Sequence, residues 1–219
     1  MIKGIIFDAD GTLLDSMPIW HDAGRIYLEK RGLEASPALV DKIFTMTLRE
    51  GCAYIKELYG LPDTLEEIQD DILTEIRDFY YYEAPLKPGV CEFLKELHER
   101  RIPMVIATAG VRETLEAALL RLGVRDFFDE LFFCSEFETS KREPFIYLHA
   151  AEHLCAVPSE ICVFEDALYA VRTAKSAGFH VIGVADAEQS GERDEIVKTA
   201  DLFILDFLDK DRLITELKI

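Results

Sequence analysis

The sequence predicts an α/β fold, a doubly wound parallel sheet interrupted early by an all-helical insertion. Three observations carry the prediction. Short, continuously apolar segments alternate with helical patterns over most of the chain, which signals strands buried on both faces of a sheet. The alternation is suspended between about residues 16 and 84, where only helix punctuation occurs. The polar motifs fall at the ends of the apolar segments, where sheets of this kind place their ligands.

The first strand is Gly4–Phe7, read as Gly-Ile-Ile-Phe. Within the gap, Ser16 and Pro18 can open a helix, and Ser36-Pro37 sets a capping hydroxyl before a proline suited to a first turn. Thr47-Leu48-Arg49-Glu50 and Thr64-Leu65-Glu66-Glu67 both match the capping box, in which threonine and glutamate satisfy each other's orphan backbone donors. Gly32 and Gly60 stand where helices would end. The chain returns through Ala84-Pro85-Leu86-Lys87-Pro88-Gly89. Residues 1–15 and 85–219 are thus expected to form one domain and residues 16–84 another. Further strands are expected at 104–107, 131–134, 161–164, 181–184 and 202–205, with helices at 90–101, 112–122, 145–155 and 168–177.

At the tip of the first strand the chain reads Phe7-Asp8-Ala9-Asp10-Gly11-Thr12. Two carboxylates leave a buried strand two residues apart, with the same facing if the strand continues, and Gly11 lets the chain turn sharply. Like charges so close repel unless a proton or a cation lies between them. A hard divalent cation with oxygen ligands, Mg²⁺ foremost, is the natural occupant. Isolated Asp-x-Asp pairs are mostly acidic turns; the β-branched run before this one and Gly-Thr after it set it apart.

Three more motifs follow in order. The strand at 104–107 runs into Thr108-Ala109-Gly110, Lys141 follows the third strand in Ser140-Lys141-Arg142-Glu143-Pro144, and the fourth ends in Phe164-Glu165-Asp166-Ala167. Taken singly, Thr108 reads as a helix cap, Lys141 as a solvated loop residue with Arg142 an equal candidate, and Glu165-Asp166 as acids favoured at a helix start. Taken together, in this order, they resemble the haloacid dehalogenase superfamily, most of whose members are phosphatases. The resemblance covers residues 1–15 and roughly 85–205.

That resemblance implies a Rossmann-like core with a helical cap at residues 16–84, hinged at Asp15-Ser16 and at about residues 84–87. It implies Asp8 as nucleophile and Asp10 as general acid–base. Mg²⁺ would be bound by Asp8, by the backbone carbonyl of Asp10, and by Asp166, with Glu165 a direct or water-mediated further ligand. Thr108 would donate to a phosphoryl oxygen with the N–H groups of Ala109 and Gly110, and Lys141 would pair with both Asp8 and the phosphoryl group. The cap candidates for substrate contact are Met17, Trp20, His21 and Arg49. One departure is local: Arg142 replaces the family's usual proline after the lysine. Others bear on activity. Trp20 stands where sugar-phosphate mutases of the family usually carry a histidine, Thr45 replaces their cap lysine, and Arg49 alone of that set remains.

The expected function is therefore a Mg²⁺-dependent phosphatase of a small phosphorylated metabolite, with a β-phosphoglucomutase-like phosphosugar mutase as the alternative. Dehalogenase and phosphonatase relatives lack an aspartate at the place of Asp10. A catalytically silent binding module on the same fold would predict losses among Asp8, Asp10, Lys141 and Asp166, and none is lost.

Composition agrees with an enzyme acting on small molecules. The chain has 219 residues, 49% hydrophobic, with 24 basic against 42 acidic side chains and a net charge of −18. Such a charge opposes binding to nucleic acid or an anionic membrane surface, while a local metal and lysine can still attract an anionic substrate. The five cysteines form no Cys-x-x-Cys pair and read as core residues or free thiols. With no leader pattern before the first strand and no long apolar run, a cytoplasmic protein, monomeric or weakly dimeric, is expected.

Overall fold

A buried parallel sheet needs strands that are apolar on both sides, and among the described residues six strands, most of them buried, pair in one sheet. The computed structural model describes residues 2–187 and 189–219. The strands are β1 (Gly4–Phe7), β2 (Met104–Thr108), β3 (Glu130–Phe133), β4 (Ile161–Glu165), β5 (His180–Val184) and β6 (Leu202–Ile204). They pair in the order β3-β2-β1-β4-β5-β6, every pair parallel. The order reverses direction between β1 and β4, the crevice at which open α/β sheets bind ligands.

The two faces of the sheet are filled differently. Ile6, Val105, Val163 and Val181 face an aliphatic cluster that includes Ile146, Tyr147 and Ala150 of α7 (Phe145–His153) and Val171 and Ala174 of α8 (Leu168–Ser176). Phe7 points the other way, stacking on Phe164 at 4.8 Å, and Phe93 of α5 (Val90–Glu99) and Phe207 close over the pair. The remaining helices of this unit are α6 (Arg112–Arg121), α9 (Arg193–Thr199) and α10 (Lys210–Leu217). The last two had no counterpart in the sequence reading. The third strand begins and ends one residue earlier than expected, because Cys134 opens a short 3₁₀ turn.

Residues Ser16–Glu83 form a separate compact unit of four helices: α1 (Met17–Lys30), α2 (Pro37–Phe44), α3 (Leu48–Tyr59) and α4 (Leu65–Tyr82). Its helix starts follow the sequence signals. Ser36 accepts from the Leu39 N–H, and Thr47–Glu50 and Thr64–Glu67 form complete capping boxes. Gly60 closes α3 in the left-handed conformation. Ser16 lies at the start of α1 but its side chain makes no cap. The sheet unit comprises the chain up to Asp15 together with Ala84–Ile219. Its exit and return segments are hydrogen-bonded to each other, Asp15 N–H to Pro85 O at 3.0 Å and Lys87 N–H to Leu13 O at 2.8 Å. Among the described residues no helix is long and apolar enough to cross a membrane. All five cysteines are unpaired.

Candidate active site

The motif residues meet at the carboxyl edge of the sheet because four neighbouring strands end there. The Asp8 N–H continues the β1–β4 pairing by donating to Phe164 O at 2.9 Å, so Asp8 is held as firmly as the strand itself. Gly11, at φ 82°, then reverses the chain, and its N–H donates to Leu14 O. A β-carbon there would be strained. The turn leaves Asp8 almost wholly buried and Asp10 half-buried.

Asp8, Glu165 and Asp166 each offer a carboxylate oxygen within 4.8 Å of the others, and all three are buried. Lys141 is buried among them. Its Nζ donates to Asp8 Oδ1 and, at 2.6 Å, to Glu165 Oε1. Burial disfavours the ammonium, yet the charges of Asp8 and Glu165 outweigh it and raise the lysine's pKa, so Lys141 is a fixed cation. Burial pushes the Asp166 carboxyl well up, and the charges of Asp8 and Glu165 push it further. Burial also raises Glu165 against the pull of Lys141.

Three buried acids share one ammonium, and the raised pKa values of Asp166 and Glu165 show how strongly their negative forms are disfavoured without a further positive charge. Asp8 Oδ2 is buried there without a hydrogen-bond partner. An orphaned carboxylate oxygen beside two further acids fits the donor set of a hard divalent cation, and Asp8, Asp166 and Glu165 are the residues that could hold it.

Thr108 ends β2, and its buried hydroxyl accepts the Gly110 N–H at 2.9 Å. A β-carbon placed on Gly110 would lie 2.9 Å from Asp10 Oδ2 and 3.2 Å from Thr108 Oγ1. Asp10, Thr108 and Gly110 therefore converge, and only glycine leaves the space between them open. Ala109 beside them is exposed. Arg142 does not join Lys141 inside; it is exposed, with its guanidinium 4.6 Å from the centre of the Tyr169 ring.

The remaining candidates belong to the helical unit. His21 lies within 3.1 Å of Asp22 and 3.2 Å of Asp41. Arg49 is exposed and reaches Gln69 at 3.4 Å and Glu66 at 3.5 Å. The Trp20 indole N–H donates to the Tyr80 hydroxyl at 3.2 Å.

Two features escaped the sequence reading. The Tyr147 hydroxyl donates to Glu165 Oε1 at 2.6 Å. Lys87 makes a buried pair with Asp186 at 2.8 Å and also donates to Ala185 O at 2.6 Å. Asp186 adds to the negative field that raises Asp166. Neither had a local signal, because each joins residues far apart in the chain.

Comparison with known proteins agrees with this architecture. Residues 2–178 match the family model described as haloacid dehalogenase-like hydrolase. The chain is 33% identical over 193 residues to the phosphorylated carbohydrates phosphatase of Thermotoga maritima, covering 87% of this chain and 89% of the relative. It is 30% identical over 182 residues to the fructose-1-phosphate phosphatase YqaB of Escherichia coli, covering 83% and 95%. Among solved structures, a putative β-phosphoglucomutase from Thermotoga maritima superposes with a TM-score of 0.87 at 28% identity, covering 98% of this chain and 99% of that one.

Proposed function

The chain belongs to the haloacid dehalogenase-like hydrolases, as a phosphoric monoester hydrolase, and we propose that it is a Mg²⁺-dependent phosphatase releasing inorganic phosphate from a small phosphorylated sugar or related metabolite. The observation that carries the reading is Asp8 itself, with one oxygen held by Lys141 and the other buried and unpartnered beside Glu165 and Asp166. Phosphate monoesters resist hydrolysis because a dianion repels nucleophiles. Attack by Asp8 divides the reaction into formation and hydrolysis of an aspartyl phosphate. In this reading Asp10 protonates the leaving oxygen and then deprotonates water, while Thr108, the N–H groups of Ala109 and Gly110, and Lys141 hold the phosphoryl oxygens. Mg²⁺ held by Asp8, Asp166 and Glu165 would screen the nucleophile from the incoming charge.

We assign the helical unit the role of a cap that excludes water and contacts the leaving group. Hydrolysis is favoured over mutase chemistry because a mutase must retain a bisphosphate while it reorients. The cap set for that task is incomplete here. Trp20 donates to Tyr80, Thr45 donates to the Lys42 carbonyl, and Arg49 is left as an exposed side chain.

The test is phosphate release across a panel of sugar phosphates, nucleoside monophosphates and phosphoglycolate, with and without Mg²⁺. Release from at least one, abolished by chelation, is expected. In parallel, β-glucose 1-phosphate with a trace of glucose 1,6-bisphosphate separates the two activities. Efficient formation of glucose 6-phosphate with negligible free phosphate would make the enzyme a mutase.

A further inference from the structure

We infer that Tyr147 is a positioning residue for Lys141, acting through Glu165; its kinetic consequence rests on the phosphatase reading above. A lysine ends in a compact charge on a flexible four-carbon stem, so one ion pair to Asp8 does not fix where the ammonium sits. A second anchor does. Glu165 Oε1 accepts Lys141 Nζ at 2.6 Å and the Tyr147 hydroxyl at 2.6 Å. Two donors from different elements thus meet on one carboxylate oxygen.

The setting makes that convergence rigid. Tyr147 is fully buried in the aliphatic face of the sheet, where a hydroxyl needs an acceptor. It lies on α7, directly after the loop that carries Lys141, whereas Glu165 is the last residue of β4. The chain of contacts Tyr147–Glu165–Lys141–Asp8 therefore ties that loop to a core helix and a central strand. Without the hydroxyl, Glu165 keeps its bond to the lysine but loses the partner that sets its rotamer from within the core. Placement of a charge near a reacting centre is where small displacements cost most.

Tyr147→Phe removes the donor and keeps the ring. Tyr27→Phe is the matched control, since the Tyr27 hydroxyl is buried without a hydrogen-bond partner in the helical unit. With p-nitrophenyl phosphate, whose leaving group needs little protonation, and saturating Mg²⁺, Tyr147→Phe should lower kcat roughly ten- to hundredfold and leave KM within about twofold, as expected for a hydrogen bond to a charged group. Tyr27→Phe should change neither. A second readout does not need turnover. In ¹⁵N-lysine-labelled protein, the Lys141 ammonium, assigned by its loss in Lys141→Arg, should exchange its protons slowly in the wild type and much faster in Tyr147→Phe.

Unchanged kcat together with an unchanged ammonium signal would overturn the inference. So would a raised Mg²⁺ requirement with full kcat at saturating metal, which would give Tyr147 and Glu165 to the cation instead. If the wild type releases no phosphate from any substrate, the phosphatase reading fails, and the ammonium exchange still decides the role of Tyr147.

Discussion

Asp8 presents two unlike oxygens, one paired with Lys141 and the other unpartnered in a buried cluster of acids. Replacing it by asparagine keeps the shape and, on the proposed mechanism, removes the nucleophile, so Asp8→Asn should lose at least about 10⁴-fold in turnover with an unchanged fold. Near-normal activity in deamidation-free protein, checked by mass spectrometry, would refute the covalent route. Asp10→Asn should cost about 10²–10⁴ in kcat on substrates with poor leaving groups. Asp166→Ala should raise the Mg²⁺ concentration for half-maximal activity, and calorimetry should show the same loss of affinity without substrate. An unchanged requirement would move that role to Glu165. The paired aspartates were legible because an apolar strand runs straight into them. Tyr147 was not, since Phe145-Ile146-Tyr147-Leu148 reads simply as apolar helix and its acceptor lies on another strand.

At the scale of single elements, the helical unit depends on its caps. Thr47→Ala and Thr64→Ala should each destabilise it by about 1 kcal/mol, measurable by thermal melting of the helical signal. The glutamates of the two boxes also carry a pH dependence. Bonds from the Thr47 hydroxyl and backbone lower the pKa of Glu50, and bonds from the Thr64 backbone and hydroxyl lower that of Glu67. Because the folded-state values lie below the ordinary 4.5, this stabilisation is complete above that pH. It is lost as pH falls through the lower folded-state values. The difference in melting temperature between the wild type and Glu50→Gln/Glu67→Gln should hold steady above about pH 4.5 and shrink as the pH falls below it; a difference that changes near pH 6 would point to another group. These helix starts could be read from sequence because capping is local chemistry. Two helix ends could not. Arg101 at φ 59° and Cys155 at φ 52° lie in the left-handed region just beyond α5 and α7, where glycine would have announced the stop. The expected helices consequently ran two residues too far.

For the whole molecule, the strand order puts β1 at the centre of the sheet. The alternation of apolar segments and helices was enough to foresee parallel pairing. The order itself is set by long-range packing, which one sequence does not display. That order has a consequence in time. Ile5 pairs with Met104 and Gly4 with Ile161, so a growing chain carries β1 with both edges open until residues 104–108 have been made, and with one edge open until residues 161–165 have followed. Pairings so distant in sequence are slow to form, and an unpaired apolar strand is exposed to wrong partners meanwhile. Chains arrested before residue 161 should therefore be protease-sensitive at the N-terminus, and longer ones abruptly protected. Asp8, at the end of β1, would wait for both neighbouring strands before its surroundings are complete.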